Sequence, residues 1–390
     1  MEFILSCSAC IAKQIAQVAE IKNIKKDKAD KLMKKVLIHL AKSDFTKSTP
    51  QLMGEIWDIL ENEIGTRDVY NEIKRYYNLA VAKQETQICE NISSMPDNYS
   101  RFTKALVFSI CGNLIDLAAT PSFDTQTFFD TAINLAKTPF GIDDIHILYD
   151  SLKSCNNLLY LGDNCGEIVT DKIFIREIKR QFPQLNCYYA VKGFAILNDV
   201  TMSDADMINM HEVATVISNG DKAAGTVLND VSDDFKMIFD NADVIISKGQ
   251  GNFESLYPIN KENLFFLLMA KCSVIAKLFN VSPMSAVCMK NKGTSFVIAQ
   301  THKGKEIICS LDNCIMEEIP LEKGAKYNPP LVKSVDCPIS RTSFFTDMIT
   351  ESLTIKQLAA KYAATPFLLR LKKIIKRYSA KLLKIVRRKK

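Results

Sequence analysis

From about residue 155 the chain repeats one pattern, a short apolar run that ends in a burst of Gly, Asn, Asp or Lys and is followed by helix-compatible sequence. The runs are NNLLYLGDNCGE, NCYYAVKG, ATVISNG and ADVIISKGQGN, and EIVTDKIFIREIKRQF and VSDDFKMIFDN are two of the separating segments. Such alternation is what a parallel α/β sheet requires. In open sheets of this kind ligands sit outside the carboxyl ends of the strands, so the polar bursts are expected to meet along one edge. The expected fold class is α/β: an N-terminal helical domain (1–150), a Rossmann-like three-layer domain with a mainly parallel sheet (151–292), and a helical, basic C-terminal extension (293–390).

The helical expectation for the first third rests on apolar residues three and four apart in IAKQIAQVAEI, KADKLMKKVLIHLAK, PQLMGEIWDILENEIG and VYNEIKRYYNLAVAKQ. Ser48-Thr49-Pro50 should open one of these helices and Gly65 close it. FTKALVFSICGNLIDLAA, apolar on most sides, predicts a buried helix, and Trp57, at helical spacing from Met53 and Leu60, predicts a core residue.

Composition matters mainly for what it excludes. At 390 residues, 47% apolar and 24% charged, the chain has ordinary globular composition, and no apolar run approaches the roughly 20 residues that span a bilayer. Twelve cysteines scattered through so large a chain read as reduced thiols, and the opening MEFILSCSACIAKQIAQ lacks the basic region of a signal peptide. The expected location is therefore cytoplasmic. The net charge of +6 hides an asymmetry: residues 352–390 carry 13 Lys and Arg and no acidic residue, leaving 37 basic against 44 acidic residues elsewhere. An anionic partner implied by the basic balance is a partner of the tail.

The polar bursts carry the chemistry. Gly162-Asp163-Asn164-Cys165-Gly166-Glu167 places Asp and Asn side by side at a strand end, either as hard oxygen ligands for a divalent cation or as caps for the helix that follows. Val191-Lys192-Gly193 with Asn198-Asp199-Val200-Thr201 adds a third candidate oxygen ligand, Asp199, and a lysine able to neutralise phosphate, though taken singly a solvated turn is the better account of it. In Ser247-Lys248-Gly249-Gln250-Gly251-Asn252 two glycines expose backbone N–H groups beside a Lys and an Asn, an anion cradle in form but neither a Walker A loop nor a dinucleotide fingerprint. No His stands at a readable spacing from a Ser or Cys, so a hydrolase triad has no support.

GDNCGE, VKG with NDVT, and SKGQGNFE, in that order, resemble the motifs of the damage-control phosphatase family, metal-dependent phosphatases formerly known as a domain of unknown function. The helical part is similar as well: Cys7-Ser8-Ala9-Cys10, then Asp68, Tyr70, Lys74 and Asn78, then Gly112-Asn113-Leu114-Ile115-Asp116 stand where the CxxC-bearing subfamily has its own motifs. The resemblance covers about residues 1–290. It implies that Asp163, Asn164 and Asp199 hold a divalent metal (Mg²⁺, Mn²⁺, Co²⁺ or Ni²⁺), and that Lys248 with Gly249, Gly251 and Asn252 binds phosphoryl oxygens. It further implies that Asn113 and Asp116 line the site, with Lys192 as a substrate contact and Glu167 and Asn198 behind the ligands. Cys165 reads as a small buried filler. Cys7 and Cys10 read first as packing residues, with a redox or metal role as the minor alternative, since neither a second CxxC nor a spaced His pair completes a zinc site.

Beyond residue 292, GKEIICSLDNCIMEEIPLEKGAKYNPPLVKSVDCPISRTSFFTDM is similar to the closing segment of bacterial deazaflavin-hydrogenase-beta-like proteins found with surface-polysaccharide genes. Phe367, Leu371, Ile374, Ile375, Tyr378, Leu382 and Ile385 follow helical spacing with basic residues between them, the pattern of a basic amphipathic helix. The expected partner of 366–390 is an anionic membrane surface, on the inner face of the membrane, or another protein, and an ordinary terminal helix packed on the body with a frayed basic end accounts for the pattern equally; nucleic acid is not expected, because no aromatic platform accompanies the charge. Two functions stand at this point. One is a metal-dependent phosphomonoester hydrolase for a small phosphorylated metabolite such as a sugar phosphate, and the other a non-catalytic phosphosugar-binding module of polysaccharide biosynthesis.

Overall fold

A computed structural model describes residues 1–112, 124–259 and 261–291, together with 302, 303 and 306. The chain divides into two compact units, 1–295 and 296–390. The described elements up to residue 291 all belong to the first.

Seven helices come first: α1 (Cys7–Ile21), α2 (Lys26–Lys42), α3 (Thr49–Ile64), α4 (Asn71–Ala82), α5 (Glu85–Ser93), α6 (Asn98–Gly112) and α7 (Thr125–Lys137). The expected ends of α3 are present. Ser48 and Gln51 form a reciprocal capping box with Pro50 in the first turn, and Gly65 closes the helix in the left-handed region at φ 84°. Trp57 is fully buried.

Then follow β1 (Ile142–Asp143), α8 (Ile145–Lys153), β2 (Asn157–Leu161), α9 (Glu167–Gln181), β3 (Asn186–Val191), α10 (Met202–Met207), β4 (Thr215–Ser218) and α11 (Asp233–Asn241). The remaining elements are β5 (Val244–Lys248), α12 (Gly249–Leu256), β6 (Leu264–Met269), α13 (Ser273–Phe279) and β7 (Ala286–Lys290). The strands form one sheet in the order β1-β7-β6-β5-β2-β3-β4. Every pairing is parallel except β6 with β7. From β2 the chain steps outward to β3 and β4, then returns to lay β5 on the other side of β2. The sheet therefore reverses direction between β2 and β5, the position where such folds open a crevice.

Period-two alternation decides which face each strand residue covers. Leu158 and Tyr160 join a core with Phe102, Phe108, Phe174 and Ile178 from α6 and α9. Leu159 and Leu161 join the opposite core, with Phe235, Phe239 and Phe253 from α11 and α12. Burial of each such side chain contributes roughly 1.5–3 kcal/mol. A third core, built from α1 to α4 around Trp57, Val36 and Tyr77, also contains Cys165 and Ile196. Those two residues sit in the loops that leave β2 and β3, so the first four helices pack on the carboxyl ends of the strands and give the crevice a wall.

Three strands were not anticipated. β1 has two residues, too few for a pattern. The six fully apolar residues of β6 suit a buried helix as well as a strand, and β7, although it ends in Lys290-Asn291-Lys292-Gly293, runs antiparallel to β6 and so breaks the parallel repeat.

Candidate active site

Backbone pairing between two loops builds the site. Past β2 the chain runs through Gly162, Asp163 and Asn164; past β3 it runs through Lys192 to Asp199. The two stretches are zipped together by an antiparallel bridge between Asn164 and Asp199. Val200 N–H donates to Asp163 O at 2.9 Å, and Cys165 N–H to Asn198 O at 3.0 Å. The structure thus brings Asp163, Asn164 and Asp199 to one place. Asn164 Nδ2 donates to Asp163 Oδ2 at 2.5 Å and to Glu167 Oε2 at 3.2 Å, and Asn164 Oδ1 accepts from Asn198 Nδ2 at 2.7 Å.

Two carboxylates buried this close disturb one another. Burial, then the charges of Glu167 and Asp199, hold the Asp163 carboxyl well above the usual range against the opposing pull of Lys192 and Lys271. Burial also lifts Asp199, to about 6, although Lys192 and Lys74 counteract it. Its nearest ammonium, Lys192 Nζ, lies 3.7 Å from Oδ2, and among the described residues that oxygen accepts no hydrogen bond. A buried, electron-rich oxygen in an all-oxygen donor set fits a hard divalent cation. Among the described residues no group of three His, Cys, Asp or Glu is placed to hold a metal; the set that fits is two carboxylates and an amide.

The lysines lie elsewhere than their motifs suggest. Lys248 does not reach the cleft: it is fully buried, with Nζ 2.6 Å from both Asp171 Oδ1 and Glu167 Oε1 and 2.7 Å from Ser109 Oγ. Asp171 also accepts from Tyr160 OH and Tyr189 OH. Attraction to these two carboxylates raises the Lys248 pKa despite burial. Lys192 is likewise buried, donating to Gly225 O at 2.7 Å and Asn252 Oδ1 at 2.9 Å. Asn252 in turn donates to Gly162 O and Lys248 O, bracing the start of α12 against the end of β2. The expected direct phosphate contacts from Lys248, Lys192 and Asn252 are therefore replaced by internal partners, because a lysine at a strand end surrounded by buried carboxylates is drawn inward. Gly249 has φ 75°, and a Cβ there would overlap the Asp163 carboxylate, so glycine is needed for close approach. Gly251 lines the cleft. Asn113 and Asp116 lie outside the described residues.

The helical wall holds both loops. Asn78 Oδ1 accepts from Gly166 N–H at 2.6 Å while Nδ2 donates to Asp204 Oδ1 at 3.0 Å. Lys74 Nζ lies 3.0 Å from Asp204 Oδ2 and 3.3 Å from Asp68. Asp204 caps the helix that begins just after Asp199 through Thr201 N and Oγ1. Tyr70 OH donates to Gln14 Oε1 at 3.1 Å, tying α4 to α1.

The resulting cleft, about 220 Å³, is floored by Asp163, Asn164 and Asp199 and walled by Pro50, Met53 and Leu197. Lys271 lines it too. This exposed lysine follows β6, and its own backbone N–H donates to Gln250 Oε1 at 2.9 Å. The sequence signal for Lys271 is the apolar run LFFLLM ending in Ala-Lys-Cys, which is not among the sequence expectations because β6 is not. Cys165 is buried and its thiol pushed up by burial, the state of a filler and not a thiolate. Cys10 is exposed, which removes the packing role expected for it, whereas Cys7 is half-buried against the α1–α4 core.

The family model for the damage-control phosphatase ARMT1-like domain matches residues 4–287. A damage-control phosphatase of Pyrococcus horikoshii is 38% identical over 191 residues, which span 49% of this chain and 66% of that protein. A protein of Methanocaldococcus jannaschii is 30% identical over 297 residues, spanning 73% of this chain and 94% of the relative. Among solved structures, the crystal structure of a DUF89 family protein from P. horikoshii superposes with a TM-score of 0.67 at 31% identity, covering 75% of this chain and all of that one.

Proposed function

This chain belongs to the damage-control phosphatase ARMT1-like family, and we propose that it is a metal-dependent phosphatase acting on a small phosphorylated metabolite in the cleft at the β2–β5 reversal. The observation that carries the proposal is the Asn164–Asp199 bridge, which sets two buried carboxylates and an amide on one cleft floor. Asp163, Asn164 and Asp199 would hold the cation. When bound, it supplies Lewis-acid charge that neutralises phosphoryl oxygens and acidifies water. Lys271, the ammonium lining the cleft, meets the remaining phosphoryl charge, and Lys192 steadies Asp199 from behind. Phosphoryl transfer asks mainly for such positioning and charge neutralisation. In the hydrolysis a water oxygen bonds to phosphorus as the ester P–O bond breaks, leaving inorganic phosphate and an alcohol that takes up a proton.

Phosphate release from a panel of sugar and cofactor phosphates, with Mg²⁺, Mn²⁺, Co²⁺ or Ni²⁺ restored to metal-stripped protein, tests this reading. Turnover with at least one cation, lost in Asp163→Asn, is the expected result. Tight binding of phosphosugars without turnover under any cation would favour the binding-module reading instead.

The proposal extends to residues 366–390, outside the described residues, as an attachment segment for an anionic membrane surface. It is supported by the 13 basic residues after position 351 and by the apolar spacing from Phe367 to Ile385. Among the described residues no helix is long and apolar enough to cross a membrane. Protein ending at Thr365 should keep turnover but lose salt-sensitive binding to phosphatidylserine vesicles; equal binding by both lengths would assign the segment to a protein partner or to packing.

A further inference from the structure

Beneath the cleft floor lies a charged network that the proposed chemistry does not use. Lys248 Nζ sits 2.6 Å from Asp171 Oδ1 and 2.6 Å from Glu167 Oε1, with all three side chains fully buried. Its other carboxylate oxygen, Glu167 Oε2, accepts from Asn164 Nδ2 at 3.2 Å. Charges are costly to bury unless something requires them, and the contact with Asn164 indicates what this one does.

An amide ligates a cation through its oxygen and repels it through its nitrogen. Asn164 can sit in its place in two orientations, of which one is useful. Two carboxylate oxygens, Asp163 Oδ2 at 2.5 Å and Glu167 Oε2, face the same terminal atom of Asn164. That atom is the donor Nδ2, and Oδ1 accepts from Asn198 Nδ2, one contact for an oxygen with two lone pairs. Lys248 keeps Glu167 in this role by pairing with its other oxygen, and Asp171 with Ser109 fixes Lys248. We propose that Glu167, fixed by Lys248, is a positioning residue that holds the Asn164 amide by its nitrogen and so leaves the amide oxygen as the end that can ligate the cation. The proposal rests on the reading of Asp163, Asn164 and Asp199 as the cation site, and it gives Lys248 a task other than phosphate binding.

Glu167→Gln tests it. One end of a glutamine amide is a donor, so it cannot accept from both Lys248 and Asn164, and one of the two contacts must turn repulsive. The measurement is Mn²⁺ titration of metal-stripped full-length protein by calorimetry, in the native background and in Asn164→Asp. A carboxylate at position 164 has two equivalent oxygens and needs no orienting. The Mn²⁺ dissociation constant should rise about tenfold or more on Glu167→Gln in the native background, within the usual range for partners of metal ligands, and by less than about twofold in the Asn164→Asp background, that difference being the coupling a cycle isolates. Equal penalties in both backgrounds, or none in either, would overturn the lock and leave the site reading standing. No Mn²⁺ binding by native protein would overturn the site reading and the lock together. If Glu167→Gln folds poorly, Glu167→Asp keeps the counter-charge to Lys248, withdraws the carboxylate by one methylene, and reads the same coupling.

Discussion

Asn78, on the fourth helix of the wall, accepts a 2.6 Å hydrogen bond from the backbone N–H of Gly166, in the loop that carries Asp163 and Asn164. Its other end donates to Asp204, which caps the helix following Asp199. One fully buried amide therefore ties together the two loops that supply the candidate ligands, and it does so from the helical part of the chain. The backbone bridge between the loops sets their spacing, and the helical wall braces it from the other side.

The first prediction follows from this tie. Asn78→Ala leaves Gly166 N–H and Asp204 Oδ1 buried without these partners, at a cost of about 1–3 kcal/mol each. Urea denaturation should show the loss as a lower midpoint, and Mn²⁺ affinity should fall with it. A variant with native stability and native affinity would remove Asn78 from this role.

Lys248 and Asp163 should separate stability from chemistry. Lys248→Met strands the Asp171 and Glu167 carboxylates in the core without their shared cation, and breaking a buried ion pair this way typically costs roughly 3–5 kcal/mol. Asp163→Asn, in contrast, removes a charge that burial and its neighbours Glu167 and Asp199 already disfavour. It should abolish turnover while leaving the thermal midpoint of metal-free protein unchanged or raised. A native-like midpoint for Lys248→Met would contradict the buried network.

Residue patterns made the parallel sheet and the ligand trio legible because strand ends announce themselves: an apolar run must stop where the chain leaves the core, and the polar residues there have nowhere else to go. They did not reveal what Lys248 and Lys192 do. A lysine after a strand looks the same in sequence whether it faces solvent or a buried carboxylate, and Asp171, the partner that draws Lys248 inward, is a mid-helix residue with no motif around it. Lys271 went unread for the opposite reason, since the strand that delivers it has no polar alternation to mark it. Asn78 and Lys74 stand among the helical motifs, but their work, clamping loops more than 80 residues away in sequence, belongs to tertiary contact alone.

Lys271 yields the third prediction. Its charge acts on Asp163 and it lines the cleft, whereas Lys248 and Lys192 are held inside. Lys271→Ala should lower kcat/KM for phosphomonoesters by about 10²–10³-fold, the scale for removing one group that stabilises transition-state charge. Because the side chain is exposed, the thermal midpoint should move little. Steady-state kinetics showing less than about a fivefold loss would leave the phosphoryl charge to be met by residues outside the described set.

The last prediction concerns pH. The Asp199 carboxyl is raised to about 6, by burial first, in the folded protein, against about 3.9 for an unperturbed aspartate. Between those values the folded state binds a proton that the unfolded chain has released, so metal-free protein should lose stability as pH rises from about 4 to about 6 and change little above that on this account. Asp163, also raised, acts in the same direction. A cation must displace the proton, so its apparent affinity should fall about tenfold for each pH unit below about 6 for every proton displaced. The rise in thermal midpoint produced by saturating Mn²⁺ at pH 7.5 should thus shrink steeply by pH 5, and Asp199→Asn should flatten the fall in metal-free stability. Mn²⁺ stabilisation that is the same at pH 5 and pH 7.5 would show that neither carboxylate gives up a proton to the cation, and would move the binding site away from Asp199.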